Sequence, residues 1–158
     1  MNTQLILSAL SGICWTIVYI ESIRLGFKQK TYAIPFWALA LNIAWETVNS
    51  ILGYAQEGVS IQIVINAVWC LLDVGILYTY FKYGQKYFPE YVSKKIFIIW
   101  SILALVTSYI IQYFFVKEFG LVKGSTYSAF LQNLAMSILF ITMYIQRRGS
   151  DGQSIDIA

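Results

Sequence analysis

Ala33-Ile34-Pro35-Phe36-Trp37-Ala38-Leu39-Ala40-Leu41-Asn42-Ile43-Ala44-Trp45-Glu46-Thr47-Val48-Asn49-Ser50-Ile51-Leu52-Gly53-Tyr54-Ala55 is an apolar run with one carboxylate in its middle and no basic residue to neutralise it. At about 1.5 Å rise per residue, roughly 20 helical residues cross a hydrocarbon core of about 30 Å, so the run is long enough to span a bilayer. A carboxylate at that depth costs on the order of 3 kcal/mol. Glu46 is therefore a candidate functional residue before any partner is known.

Four similar runs surround this one. The expected helices are Leu5–Leu25, Ala33–Tyr54, Ser60–Tyr83, Lys95–Val116 and Tyr127–Gln146. The fold class is all-α, a polytopic transmembrane bundle of five helices. The chain of 158 residues is 58% hydrophobic and only 12% charged, too apolar for a soluble domain of that size. The runs are about twice the length of a barrel strand and do not alternate, which excludes an outer-membrane barrel. Short connections separate them: Pro89, a helix breaker, lies in the third, Gly84–Lys94, and Gly120 and Gly124 mark an expected loop over the fourth, Lys117–Thr126. Residues 1–146 form the expected membrane domain, and residues 147–158 a polar, Gly/Ser-containing tail.

Charge sets the expected orientation. Arg24, Lys28, Lys30, Lys82, Lys86, Lys94, Lys95, Arg147 and Arg148 fall on one side, and only Lys117 and Lys123 on the other. The positive-inside rule then puts the N-terminus outside and the tail in the cytoplasm. The net charge of +3 is read as topogenic; no basic stripe or RNA-binding motif points to a nucleic-acid partner. Met1-Asn2-Thr3-Gln4 lacks the basic start of a signal peptide, so the first run is expected to stay as a membrane helix. Cys14 and Cys70 lie inside helices, outside any CxxC spacing, and read as reduced small apolar residues. The absence of histidine excludes a His-dependent metal site and a Ser-His-Asp triad. Tyrosines near helix ends, Tyr32, Tyr54, Tyr83 and Tyr127 among them, read as an interfacial aromatic belt. Trp15, Trp45, Trp69 and Trp100 lie too near mid-helix for that reading.

The polar residues of the second and third runs are periodic. Asn42, Glu46 and Asn49 share a helix face, and Trp45 flanks Glu46; Gln62, Asn66, Trp69 and Asp73 share another. Polar faces in a bundle turn toward each other, so these two antiparallel neighbours are expected to line one pocket. Low dielectric and a second carboxyl favour a neutral acid in such a pocket, poised to donate a proton. Nearby aromatic faces stabilise cationic charge. Glu46 and Asp73 are the candidate catalytic pair, with Asn42, Trp45, Asn49, Asn66 and Trp69 as candidate substrate-binding residues. Three readings stay open on spacing alone: acid catalysis, proton-coupled transport, and interhelical hydrogen bonding without chemistry. Gln112, Gln132 and Asn133 read as interhelical hydrogen-bond formers or further lining. Glu21 and Arg24 read as an i,i+3 pair.

Lys30-Thr31-Tyr32-Ala33-Ile34-Pro35, followed by Leu41-Asn42-Ile43-Ala44-Trp45-Glu46, resembles the small integral-membrane terpene cyclases of fungal meroterpenoid and indole-diterpene pathways (PaxB-like) and their bacterial relatives. Trp69 with Asp73-Val74-Gly75, Gln132-Asn133, Arg148-Gly149-Ser150 and Gly152-Gln153-Ser154 extend the resemblance in order along the chain. The resemblance implies a cyclase that protonates an epoxide or alkene of a prenylated substrate, without metal or other cofactor, and maps the family's acid onto Glu46. It implies seven helices, with a second key acid in the last of them. On that pattern two helices would follow Ile155-Asp156-Ile157-Ala158, and Asp73 is the acid within this chain able to take the second part. A second copy of the chain would cover a pocket left open to lipid. The implied partners are an isoprenoid substrate and the bilayer, the endoplasmic reticulum if the source is fungal or the plasma membrane if bacterial.

Overall fold

The computed structural model describes residues 3–155 and 157, and among these it is helical throughout, with no strand. The five helices are α1 (Thr3–Lys28), α2 (Phe36–Glu57), α3 (Ile61–Tyr83), α4 (Lys94–Phe119) and α5 (Leu121–Arg147), with a short 3₁₀ turn at Gly84–Tyr87. The five-helix bundle expected from the apolar runs is present.

Local chemistry sets the helix ends. Pro35 lacks an N–H and occupies the cap position of α2, so the helix starts at Phe36 rather than at Ala33. Ser60 and Ser93 cap α3 and α4, each side chain accepting from the backbone N–H three residues on, Ile63 and Ile96, at 3.3 Å. The largest departure from expectation is at α5, which begins at Leu121, six residues early. The loop expected over Lys117–Thr126 is reduced to Gly120, whose φ of 75° ends α4 within one residue. Gly124, read from sequence as a second loop glycine, lies inside α5. A Cβ there would stand 2.5 Å from the Phe115 carbonyl oxygen, so its bareness lets α5 start flush against the end of α4.

The packing is inverted relative to a water-soluble domain. Ser22, Asn42, Glu46, Asn66, Asp73, Thr79, Ser101, Ser108, Gln112 and Gln132 are buried. The outer surface is Ile, Leu, Val and Phe, including Leu7, Ile17, Leu71, Phe130 and Ile141. Lipid tails solvate apolar side chains, whereas polar groups need protein partners, which is the distribution a bilayer selects. Ser101 and Ser108 meet that need inside their own helix, donating to Phe97 O at 2.8 Å and Ala104 O at 2.9 Å.

Four helices are long and apolar enough to cross a membrane by composition: α1 from Ala9, the α3 segment Ile61–Tyr87, α4 and α5. The fifth, α2, carries Asn42, Glu46 and Asn49, and it is the central element. It packs against α3, α4 and α5, and Ala38, Leu39, Ala40 and Ala44 are all buried. The helix least suited to lipid is the one most shielded from it. α1 packs on α3, where Gly26 leaves room for the Thr79 side chain. Near the basic ends of the helices, Phe36 stacks on Tyr80 with ring centroids 4.0 Å apart, and Phe97 packs at 5.0 Å from Tyr80.

Candidate active site

Three i,i+4 pairs from three helices converge at the centre: Trp15 and Tyr19 of α1, Asn42 and Glu46 of α2, and Trp69 and Asp73 of α3. Spacing of four puts each pair on one face, one above the other. Tyr19 lies between the two tryptophans, its ring centroid 6.0 Å from Trp15 and 6.2 Å from Trp69. Trp69 is held by its indole N–H, which donates to Thr16 Oγ1 at 3.1 Å.

A directed hydrogen-bond chain ends on Glu46. Gln112 of α4 donates to Gln132 Oε1 (3.3 Å), Gln132 of α5 donates to Asn42 Oδ1 (3.0 Å), and Asn42 donates to Tyr19 Oη (3.3 Å). Tyr19 then donates its hydroxyl proton to Glu46 Oε1 at 2.7 Å. With Asp73 on α3, all five helices contribute. Neither oxygen of Asp73, nor Oε2 of Glu46, meets an ordinary donor among the described residues. The two buried carboxyl groups are neighbours, close enough to influence one another. Two carboxylates are both acceptors, so a hydrogen bond between them requires a proton on one. The burial is close to complete: Asp73 is 0% exposed and Glu46 3%.

A cavity of about 110 Å³ lies beside Glu46, lined by Trp15, Tyr19, Asn42, Trp45, Trp69 and Gln132 with Ala129 and Asn133. Trp45 forms its wall with the indole N–H donating to Ser125 O at 2.9 Å, which ties α2 to α5. Of the residues singled out by sequence, Glu46, Asn42, Trp45 and Trp69 line this cavity, whereas Asp73 is fully buried and does not. Asn49 is turned back on its own helix, donating to Trp45 O at 2.8 Å. Asn66 accepts from Gln62 at 2.8 Å, two turns along α3 from Asp73. Neither lines the cavity. Tyr19 and Trp15 were not among the sequence candidates. Their i,i+4 spacing in mid-α1 was the available signal, and Trp15 alone had been set apart from the belt. Glu21 and Arg24 form the expected pair at 2.6 Å, away from this centre.

The geometry can deliver a proton from a carboxylic acid into a small aromatic chamber, with a phenol and a second carboxyl to steady the carboxylate left behind. Comparisons with known proteins find terpene cyclases. A Pyr4-family terpene cyclase of Annulohypoxylon moriforme, mfmH, is 27% identical over 146 residues, covering 91% of this chain and 59% of the relative. Terpene cyclase macJ of Penicillium terrestre is 35% identical over 85 residues, 52% of this chain and 32% of the relative. Terpene cyclase dpchB of Colletotrichum higginsianum is 28% identical over 145 residues, 90% of this chain and 59% of the relative. The chain thus spans less than two thirds of the length of these curated relatives. No solved structure matches it. The family model of Pyr4-like transmembrane terpene cyclases matches residues 1–157, and the chain belongs to that family.

Proposed function

We propose that the protein cyclises a prenylated, lipid-like substrate by protonation, with Glu46 as the general acid and Asp73 as its buried neighbour. The observation that carries this reading is the carboxyl pair beside a chamber walled by Trp15, Trp45 and Trp69. Tyr19 occupies Glu46 Oε1, which leaves Oε2 to carry the proton. Transfer of that proton to an epoxide oxygen breaks the C–O bond and leaves a carbocation; a neighbouring alkene closes the ring by forming a C–C bond. Loss of a proton from the cyclised cation returns it to the carboxyl pair, so the conversion is an isomerisation with no net change in mass. An alkene protonated at carbon follows the same balance. The tryptophan faces lower the energy of the passing cation, and the Tyr19 hydroxyl stabilises the Glu46 carboxylate as it forms.

Transport by a proton relay is less well supported. Beyond Tyr19 the hydrogen-bond chain runs through the amides of Asn42, Gln132 and Gln112, which orient neighbours but do not titrate. The chain is oriented with residues 29–32 and 84–91 in the cytoplasm, as its lysines and arginines favour, and the membrane is the endoplasmic reticulum if the source is fungal.

The test is incubation of membranes containing the protein with a prenylated epoxide in the presence of EDTA. A cyclised alcohol of unchanged mass is expected. Recovery of the epoxide alone, or product only when divalent metal is restored, would contradict the proposal.

A further inference from the structure

The face that α4 turns inward is formed by Phe97, Ser101, Ala104, Ser108 and Gln112. Three of these are small, and α4 packs closely on α2 and α5. Ser101 and Ser108 direct their hydroxyls to carbonyls of their own helix. Gln112, only 1% exposed, instead reaches across to Gln132 on α5. Among the described residues none from α4 lines the chamber beside Glu46. Gln112 therefore does not touch a molecule held there, yet its amide begins the hydrogen-bond chain that ends on the acid.

The chain has a direction, and each link sets the next. Gln112 Nε2 donates to Gln132 Oε1, which leaves Gln132 Nε2 turned toward Asn42 Oδ1. Asn42 then presents Nδ2 to Tyr19 Oη, so the phenolic proton is free for Glu46 Oε1. An amide has a donor end and an acceptor end, so turning one of the three over would set like against like. Asn42, Gln132 and Tyr19 are buried, where an unmet donor or acceptor is most costly. Once Glu46 has given up its proton it can only accept, and a chain running from Gln112 toward Glu46 is the direction that serves it.

We propose that Gln112 is a positioning residue for the acid: it holds the chain in this direction from α4 and, through Tyr19, steadies the Glu46 carboxylate as it forms. This inference rests on the reading of Glu46 as the general acid.

The test is a double-mutant cycle between Gln112→Met and Tyr19→Phe, residues that share no bond. Methionine keeps the length of glutamine and removes the donor. Alone, Gln112→Met should lower kcat for cyclisation of a prenylated epoxide by roughly threefold, with KM unchanged. In the Tyr19→Phe background it should have little further effect, because the bond through which it acts is gone. Wild-type kcat, a change confined to KM, or losses that simply multiply would each overturn the proposal. Tyr109→Phe is the control. It removes another tie from α4 to α2, the 3.1 Å bond to Thr47, which lies off the chain. Its effect should multiply with that of Tyr19→Phe; coupling as strong as that of Gln112 would reduce the role of Gln112 to holding α4 in place. The same cycle read by thermal melting needs no turnover, and non-additive losses are expected there too. In the unmodified protein the side-chain amides of Gln132 and Asn42 should exchange slowly with deuterium. Fast exchange at both would overturn the chain whether or not the variants fold. Coupled melting without cyclised product from any form would fault the acid reading alone, whereas product with additive losses would fault this inference alone.

Discussion

Tyr19 is the residue through which three helices reach the acid. It accepts from Asn42 and donates to Glu46, and its ring separates Trp15 from Trp69. Tyr19→Phe keeps the ring and removes both hydrogen bonds. An interhelical hydrogen bond in a membrane is worth about 0.6 to 2 kcal/mol, so thermal unfolding in detergent should show a small loss of that order. Cyclisation should slow by roughly tenfold, well short of the 10² to 10⁴ that loss of a general acid brings. A rate equal to wild type would remove Tyr19 from the positioning of Glu46. Glu46, Asp73, Asn42, Trp45 and Trp69 were legible in the sequence because an acid or amide in an apolar run is conspicuous and helical spacing groups it with its face-mates. Tyr19 was not, because a tyrosine is at home in a membrane helix and its importance lies in a partner 27 residues away. Asn49 and Asn66 share the polar faces, yet each forms a bond along its own helix that no periodicity reveals.

At the scale of the element, the α4–α5 turn shows what composition conceals. Two glycines four residues apart read as a loop, whereas one ends a helix by its positive φ and the other admits a neighbouring backbone. The distinction depends on contacts across the turn and so could not be read from spacing. Gly124→Val should destabilise the bundle, since the new side chain is directed at the Phe115 carbonyl. Gly12→Ala should be tolerated, because its Cβ would meet only Trp69 at 3.8 Å, an ordinary contact. Melting of both variants in the same detergent checks the pair; equal stability would show that the α4–α5 approach is not as tight as described. The start of α2 carries the same lesson in milder form: the apolar run begins at Ala33, but Pro35 postpones the first helical turn to Phe36.

For the whole molecule, the sequence announced a membrane bundle because every run was apolar and long, and the inverted burial of polar residues is what that composition produces when folded. The central placement of α2 was less legible, since the number of helices shielding a segment is not written within it. The orientation proposed from lysine and arginine placement is open to direct test. Glu90→Cys and Gln56→Cys put thiols at opposite ends of the bundle. An impermeant maleimide added to sealed membrane vesicles of known sidedness should label Gln56→Cys from the extracytoplasmic face and Glu90→Cys from the cytoplasmic face. The reverse pattern would invert the proposed topology.

In the proposed reaction Glu46 delivers the proton that starts cyclisation, with Asp73 beside it. Its most direct test is the initial rate of cyclised product from a prenylated epoxide for wild type, Glu46→Gln and Asp73→Asn, each first shown to be folded by its melting profile. Glu46→Gln keeps the size and one hydrogen-bonding oxygen but has no acidic proton to give. Glu46→Gln is expected to lose activity by at least about 10²-fold, and Asp73→Asn to be impaired to a lesser degree. A folded Glu46→Gln protein that forms product at the wild-type rate would show that Glu46 does not supply the proton.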